Sequence, residues 1–416
     1  MRIAIFTNNY KPFMGGVTRS VETLIQEFHA RGHEVRLFAP RFEGYEERES
    51  WIYRVPSIPR FNHTDFSLPL PYSVKVRSIM ADFNPHLVHV QHPFFLGEMG
   101  MHLGKNRNIP IVLTYHTQYD QYSHYAPIDS DLVKRWIINV CTSFCNLCDL
   151  VVAPSSDIRQ VLIDRKVTSR IEVIPTGVNL APYRDPDRRW LRETFKIGPE
   201  KTILIHTGRL AKEKNLNFLF RAVVQAMSGN ETLVFFVAGI GDLVPHLKAL
   251  SRELGIESRV IFHGRMTPEE LVSAYAGADL FVFSSKSETQ GLVVLEAMAA
   301  GTPVVAVDAP GVRDMVTDGV DGYLTDEDED LFSRRILSLV ESPEQRAAFS
   351  RAAEKKAVCY RSSAMAGKVL DEYERLLRQP PETLNPEIHH FNILKGLLRE
   401  AVAKVVKEGP GTKKRS

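Results

Sequence analysis

Short apolar runs rich in β-branched residues alternate along this chain with longer segments whose apolar residues recur at helical spacing. This alternation is typical of parallel sheets built from strand–helix–strand units. In the first half it predicts a helix from about Thr18 to Arg31 and strands near Ile3–Thr7, Val35–Ala39, Leu87–Gln91, Ile111–Tyr115, Leu150–Ala153 and Glu172–Ile174. In the second half it predicts helical segments at Asn215–Met227 and Pro268–Ala276 and strands near Thr202–His206, Leu233–Ala238, Val260–His263, Leu280–Ser284 and Pro303–Val307.

The pattern occurs twice, which predicts an α/β protein with two Rossmann-like domains facing each other across a cleft. A stretch rich in Pro, Asp and Arg separates the two sets of strands and is expected to be a linker. The predicted order is an N-terminal domain (1–178), the linker (179–200), a C-terminal domain (201–358), a closing helix that returns toward the N-terminal domain (359–378) and a tail (379–416). Ligands of such sheets bind beyond the carboxyl ends of the strands.

The tail is locally basic, with seven Lys or Arg against four Asp or Glu from Gln379 to Ser416. Within it, Phe391–Lys407 places apolar residues on one face at helical spacing, with lysines and arginines opposite. Such a helix lies either on an anionic membrane surface or against its own protein. The sequence leaves both open.

Composition narrows the class of protein. Apolar residues make up 44 % and charged residues 25 %, which is average for globular proteins, and a net charge of +2 gives no support to a nucleic-acid partner. The four cysteines are too few for a disulfide framework, and Cys141, Cys145 and Cys148 are expected to be buried thiols of a reducing compartment. With no leader and no long apolar run, a cytoplasmic protein is expected, and no obligate protein partner is evident.

Two glycine-containing loops carry candidate phosphate chemistry. The first strand leads through Gly15 and Gly16 into a helix, where backbone amides and the helix dipole can meet a phosphate, although the pair is also typical of a plain turn. The second domain opens with Gly208 and then Arg209 and Lys214, which could reach one anion together or be solvated surface cations.

A third loop follows the strand near Leu280. Glu288 lies where a carboxylate can meet a ligand hydroxyl, and Glu296 lies about two turns along the next helix. The amides of Gly291, Leu292 and Val293 are expected to point from the helix N-terminus at a diphosphate. The acidic run 326–330 is interpreted as a helix start rather than a metal site, because carboxylates favour the N-terminal dipole.

His116 ends the fourth predicted strand, where it can point into the cleft. The loop that follows contains Tyr119 and His124, and Tyr10 follows the first strand; these three are candidate acceptor-side contacts. Aromatic packing is the competing interpretation of this loop.

At these residues the chain resembles glycosyltransferase family 4, whose enzymes have the GT-B fold and retain anomeric configuration. The likeness runs from Arg2 to about Arg378 and is strongest at the Gly-Gly loop, His116, Val173–Asn179, Gly208–Asn215, and Glu288 with Glu296. Thr176 stands where many members have Asn, and Asn179 where many have Asp.

The resemblance implies a role for each matched residue. Gly15 and Gly16 face the donor diphosphate, and Arg209 and Lys214 neutralise the departing phosphate. Glu288 holds sugar hydroxyls, Glu296 holds the ribose, and His116 lines the reacting face. Phe262–Arg265 reads the base through backbone atoms, which makes Arg265 a donor-side residue. Same-face internal return is implied, in which the leaving phosphate accepts the acceptor proton, and neither a cofactor nor a metal is expected.

The resemblance is greatest to the diacylglycerol glucosyltransferase branch, through the His116–Tyr125 loop, Phe66–Pro71 and His92–Gly97. It implies UDP-glucose as donor, a membrane lipid such as diacylglycerol as acceptor, and a peripheral position on the inner face of the cell membrane. Alternatives are a soluble sugar, sugar-phosphate or cyclitol acceptor, and GDP-mannose-dependent lipid mannosyl transfer. A dinucleotide oxidoreductase is a distant alternative, because Ala238–Gly241 approaches a glycine fingerprint but Val244 replaces its third glycine. A noncatalytic sugar-binding module would not need Arg209, Lys214 and Glu288 together.

Overall fold

A computed structural model describes residues 1–59, 67–70, 73–118 and 131–378 of the chain, without the side chains of 131–133. The strands are β1 (Arg2–Phe6), β2 (Glu34–Pro40), β3 (Ile52–Val55), β4 (Ser57–Ile58), β5 (Leu68–Pro69), β6 (Leu87–Val90), β7 (Ile111–Thr114), β8 (Leu150–Ala153), β9 (Ile171–Val173), β10 (Thr202–Thr207), β11 (Leu233–Ala238), β12 (Val260–His263), β13 (Leu280–Phe283), β14 (Val304–Val307) and β15 (Gly322–Thr325).

The helices connect these strands in the alternation that the sequence predicts. They are α1 (Gly16–Ala30), α2 (Val74–Phe83), α3 (Leu96–Lys105), α4 (Asp131–Asn146), α5 (Ser156–Asp164), α6 (Trp190–Phe195), α7 (Leu216–Ser228), α8 (Val244–Glu253), α9 (Pro268–Gly277), α10 (Leu292–Ala299), α11 (Glu329–Glu341), α12 (Pro343–Cys359) and α13 (Ser362–Arg378).

Two parallel sheets form the framework. The first has the order β3-β2-β1-β6-β7-β8-β9, and the second has the order β12-β11-β10-β13-β14-β15. Helices cover both faces, so the central strands are buried throughout and have continuous apolar sequences. All eleven strands predicted from the sequence are present within one residue at either end.

The described strands that the sequence did not predict lie at sheet edges or in a small separate sheet. β3 contains Arg54 and is half-buried, so it lacks the apolar run that identifies a central strand. β15 begins with Gly322, where a Cβ atom would lie 2.6 Å from the carbonyl oxygen of Val304. Glycine allows this close approach but weakens the strand signal.

The segment predicted as a linker contains regular structure. It includes the short helix α6, whose Leu191 is fully buried among residues of the second domain's core, and α6 packs on α9. Residues 190–195 are therefore packed on the second domain, whereas the exact domain boundaries stay predictions.

The chain crosses between the two halves at two adjacent points. Val178 forms a parallel bridge with Arg361, just before α13. A Cβ atom on Gly177 would lie 2.5 Å from the Cα of Ser362, so only glycine permits this contact. Beyond the crossing, α13 packs Val369, Tyr373 and neighbouring residues into the core of the first sheet.

Cys141, Cys145 and Cys148 are buried, as the sequence predicts, and burial raises the pKa of the Cys145 thiol to about 12. Within the described ranges, no helix has the length and apolar character needed to cross a bilayer. The tail 379–416, including its predicted amphipathic segment, and the candidate residues Tyr119 and His124 lie outside the described residues.

Candidate active site

Gly208 begins the loop that follows β10. Its φ of +146° lies in a region that side chains rarely adopt, which explains glycine at this position. The loop lies against the turn after β11: a Cβ atom on Gly239 would lie 1.8 Å from the Gly208 carbonyl oxygen, and one on Gly241 would lie 2.1 Å from the Leu210 carbonyl oxygen. Gly239 and Gly241 belong to the partial glycine fingerprint of Ala238–Gly241, and both serve backbone packing. The oxidoreductase alternative therefore loses the sequence feature on which it mainly rested.

The same loop forms a buried ion pair with the third loop. Lys214 Nζ contacts Glu288 Oε1, and the two side chains are 15 % and 18 % exposed. Burial alone would raise the pKa of Glu288, but the charge of Lys214 and its hydrogen bond outweigh burial, with a smaller contribution from Arg209, and the pKa is lowered. Glu288 is therefore ionised at neutral pH.

Hydrogen bonds from serine hydroxyls to backbone carbonyls hold these two loops together. The Ser284 hydroxyl donates to the Lys214 carbonyl at 2.9 Å and the Ser287 hydroxyl to the Glu213 carbonyl at 3.3 Å. Arg209 is half-exposed and pairs with Glu213. The structure thus brings Arg209, Lys214 and Glu288 close together, and their catalytic roles stay predictions.

The helix α10 begins at this site. Its N-cap Gly291 has a φ of +70°, and Leu292 and Val293 form the first turn. Glu296, one turn further, is 6 % exposed and accepts a hydrogen bond from the Tyr275 hydroxyl at 3.3 Å. Its other carboxylate oxygen pairs with Arg19 of α1, on the opposite wall of the cleft.

Arg19 was not among the residues singled out from the sequence. It lies in the first turn of α1, where a cation is disfavoured by the helix dipole. An unfavourable cation at that position is the signal that could have indicated a carboxylate partner from elsewhere in the fold.

The paired glycines lie at the start of α1, where Gly15 is the N-cap. A Cβ atom on Gly16 would meet nothing within 4 Å, so the fold does not require glycine there. The open space in front of this helix start is what close approach of a phosphate needs. Contact of Gly15 and Gly16 with a diphosphate stays a prediction.

His116 lies just beyond β7, at the edge of the cleft. Its Nε2 is 2.7 Å from Gln91 Oε1, and its backbone carbonyl accepts a hydrogen bond from Thr289 Oγ1 of the opposite half at 3.0 Å. Burial lowers the pKa of His116 to about 4, so the ring is neutral at physiological pH. Two neighbouring buried histidines, His89 and His92, have pKa values lowered by burial to about 3.

The candidate residues Tyr10 and Arg265 make none of the ion pairs described above. Tyr10 is 3 % exposed, packs in the core of the first sheet beside Arg54, and its pKa is raised by burial. The structure therefore gives it a core environment rather than an open acceptor-side surface. Arg265 follows β12 and is exposed.

The acidic run caps α11, as the sequence predicts. Asp328 accepts a hydrogen bond from the Leu331 amide at 2.8 Å, and Glu327 bonds Asn215 at 2.8 Å and pairs with Lys286. Across the part of the chain that the structure describes, no three His, Cys, Asp or Glu side chains are grouped as a metal site would require.

Solved structures with the same two-domain arrangement identify the fold. The chain matches sucrose-phosphate synthase from Thermosynechococcus elongatus with a TM-score of 0.75 at 20 % identity, over 90 % of this chain and 98 % of that one. It matches Anabaena HepE in complex with UDP with a TM-score of 0.72 at 20 % identity, over 90 % and 100 %. The fold is the GT-B architecture of glycosyltransferases.

Sequence comparisons identify the family. The domain family "Glycosyltransferase Family 4" matches residues 14–182, and "Glycosyl transferases group 1" matches residues 187–356. An alpha-monoglucosyldiacylglycerol synthase of Streptococcus pneumoniae is 32 % identical over 83 % of this chain and 79 % of its own length. The chain belongs to glycosyltransferase family 4, and it is a hexosyltransferase.

Other relatives differ in what their names say they transfer. An alpha-monoglucosyldiacylglycerol synthase of Acholeplasma laidlawii is 28 % identical over 92 % of this chain and 100 % of its own length. A GDP-mannose-dependent alpha-mannosyltransferase of Corynebacterium glutamicum is 30 % identical over 78 % and 77 %. Family membership therefore leaves the donor to be decided by the site.

Proposed function

We propose that this chain transfers glucose from UDP-glucose to a membrane lipid, diacylglycerol in the first instance, with retention of anomeric configuration. The observation that carries the proposal is the similarity to two alpha-monoglucosyldiacylglycerol synthases over most of the chain. The charges of the site suit this reaction. The bond from the anomeric carbon to the diphosphate breaks, and Arg209, Lys214 and the amides of Gly291–Val293 offer fixed positive charge to the departing oxygen.

In the proposed reaction the acceptor hydroxyl attacks the face that the diphosphate leaves, and its proton passes to a diphosphate oxygen. Glu288, ionised beside Lys214, holds sugar hydroxyls. Glu296 holds the ribose in place of its contact with Arg19. His116 is a poor general base because of its low pKa, and it orients the sugar instead.

The test is transfer to diacylglycerol dispersed in detergent, with UDP-glucose and GDP-mannose compared at equal concentration. UDP-glucose is expected to be used with EDTA present, because protein cations occupy the place of a metal, and the product is expected to be the α-anomer. A second candidate, GDP-mannose-dependent transfer, is favoured by the Corynebacterium relative and would be established by the reverse donor preference. Transfer to a soluble sugar or sugar phosphate with none to diacylglycerol would overturn the lipid acceptor.

The proposal includes contact with an anionic membrane surface. In the first domain three apolar side chains are exposed within a short stretch of sequence: Ile58 of β4 is 45 %, Leu70 just after β5 is 41 %, and Val74 at the start of α2 is 72 % exposed. Exposed apolar side chains grouped in one region favour a membrane or protein contact. The predicted amphipathic tail would add basic residues, each contributing about 1 kcal/mol near an anionic surface.

Sedimentation with anionic liposomes tests this contact. Leu70→Glu combined with Val74→Glu is expected to lower the bound fraction and the transfer to lipid in vesicles. The same variant is expected to keep its transfer rate on detergent-dispersed diacylglycerol. Val358→Glu, at a position on α12 that is 47 % exposed, is the matched control. Equal liposome binding by both variants would remove this patch from the proposal.

A further inference from the structure

Gln290 connects the two halves of the molecule at the point where α10 begins. Its side-chain amide makes two hydrogen bonds to one backbone residue across the cleft: Nε2 donates to the Thr176 carbonyl and Oε1 accepts from the Thr176 amide, both at 2.7 Å. Gln290 is 5 % exposed. A primary amide is the side-chain group that can satisfy a donor and an acceptor of one peptide segment in this way.

The contact continues from Thr176 to the helix on the opposite wall. The Thr176 hydroxyl lies 2.8 Å from the hydroxyl of Ser20, which is in the first turns of α1. A set of hydrogen bonds thus runs from Gln290, the residue before the α10 N-cap Gly291, through Thr176 to Ser20 of the helix that begins at Gly16.

These two helix starts are the ones expected to face the donor diphosphate from opposite sides. Each belongs to a different domain, so neither sheet alone fixes the distance between them. The backbone of Gln290 is also packed closely within its own domain: a Cβ atom on Gly311 would lie 2.6 Å from the Gln290 backbone nitrogen, so glycine permits this fit. The backbone of Gln290 is therefore held against its own domain while the side chain binds the other.

We infer that Gln290 is a positioning residue that fixes the two glycine-led helix starts at the spacing required to hold the donor diphosphate between them. It acts through the Thr176 backbone and does not itself contact the reacting atoms. The inference rests on the proposed use of a nucleotide-sugar donor at this site, and it adds a residue that determines donor affinity.

Gln290→Leu removes both hydrogen bonds at nearly constant volume and leaves the Thr176 amide and carbonyl without their partner. We expect the Kd for UDP and the KM for the donor to rise at least ~10-fold, since each unpaired buried group is costly, with little change in the KM for the acceptor. The thermal unfolding midpoint, measured alongside, separates this effect from general destabilisation.

Gln290→Glu supplies a readout that simple loss of packing would not produce. An ionised carboxylate can accept from the Thr176 amide but is repelled by its carbonyl, whereas a protonated one restores both bonds. The ratio of kcat/KM for this variant to that of wild type is expected to rise at least ~5-fold as the pH is lowered from about 8 to about 5.5.

The wild-type measurement at each pH corrects for other titrating groups. The titratable groups nearest to Gln290 on the elements packed around it are the pair Lys214–Glu288, the pair Arg19–Glu296 and the His116 ring. Gln160→Glu is the matched control, because Gln160 is exposed on α5 and bonds only Asp164 among the described contacts. This control is expected to have a ratio that does not depend on pH.

The UDP titration separates failure of the inference from failure of the proposed function. If wild type binds UDP and Gln290→Leu binds it equally well, the positioning role is wrong although the donor assignment holds. A pH-independent ratio for Gln290→Glu would likewise overturn it. If wild type binds GDP and not UDP, the donor assignment is wrong, and the same titrations with GDP then decide the role of Gln290.

Discussion

The two sides of the cleft differ in how they carry charge. The C-terminal wall carries charge in close pairs: Lys214 with Glu288, and Arg209 with Glu213. In the N-terminal half, burial lowers the pKa values of three imidazole rings, those of His89, His92 and His116, to between about 3 and about 4. The C-terminal wall therefore holds fixed charges in close pairs, whereas these imidazole rings of the N-terminal half are neutral at physiological pH.

This difference matches the two tasks of the proposed reaction. Stabilising a departing diphosphate requires preorganised positive charge, whereas a neutral sugar or glycerol hydroxyl is bound by uncharged hydrogen-bonding groups. Arg19 adds a charge that connects the two sides, since it extends from the N-terminal wall to Glu296 on the other side. The predictions below test the charged wall, the histidines of the N-terminal half and this connection in turn.

The largest effect is expected at the charged wall. Glu288→Gln and Lys214→Met are each expected to lower the transfer rate at least ~100-fold, because one preorganised electrostatic contact is worth about 3 kcal/mol in the transition state. Steady-state rates of transfer from UDP-glucose, with thermal unfolding in parallel, measure this. Glu257→Ala, which breaks an exposed pair with Arg252 in the same domain, is expected to leave the rate unchanged.

The double variant Glu288→Gln with Lys214→Met decides between two explanations of such losses. If the pair serves only the fold, each single variant is slow because it leaves one charge without its partner. The double variant leaves no such charge, so its rate is expected to recover. If each side chain contacts the substrate, the double variant stays as slow as the slower single one. Recovery of the rate would overturn the roles proposed for both residues.

Acid is expected to act on stability rather than on rate, through the histidines of the N-terminal half. A histidine whose folded pKa lies below the ordinary value of 6.5 takes up its proton more readily in the unfolded chain, so stability is lost as the pH falls from about 6.5 toward the folded value. The loss is about 1.4 kcal/mol per pH unit for each such histidine. Among the histidines whose pKa is lowered to about 3 or about 4, three lie in the first domain, whereas His206 lies in the second.

Urea unfolding at pH 7.5, 6.5 and 5.5 measures the slope, and limited proteolysis at pH 5.5 shows which half opens first. Cleavage is expected first in the first domain. Equal stability at pH 7.5 and 5.5 would show that these rings are not held neutral.

The smallest effect is expected at the connection between the walls. A double-mutant cycle of Arg19→Ala and Glu296→Gln is expected to give a coupling of about 1–2 kcal/mol in the free energy of unfolding, because Glu296 is nearly buried and Arg19 is partly exposed. Saturating UDP is expected to reduce this coupling, since the ribose takes the place of Arg19 at Glu296. A coupling that UDP does not change would separate Glu296 from donor binding.

The sequence by itself determined the two sheets and the positions of the loops at which the chemistry is proposed. Buried parallel strands such as β8 and β11 need continuous apolar runs, so the first and last residues of both strands were predicted correctly from the sequence. The grouping of Arg209, Lys214 and Glu288 was predicted because each follows the end of a parallel strand, and those ends lie at one edge of the sheet.

Only the tertiary structure decided which side chains meet across the cleft. Arg19 with Glu296 and Gln290 with Thr176 are separated by more than a hundred residues, and no local period brings them together. The environment of Tyr10 was likewise decided by packing, because a tyrosine after a strand is equally compatible with a core and an open surface. The periodicity of the sequence indicates which face of a helix or strand is buried. A contact between domains depends instead on the relative position of two separate sheets, which no local pattern encodes.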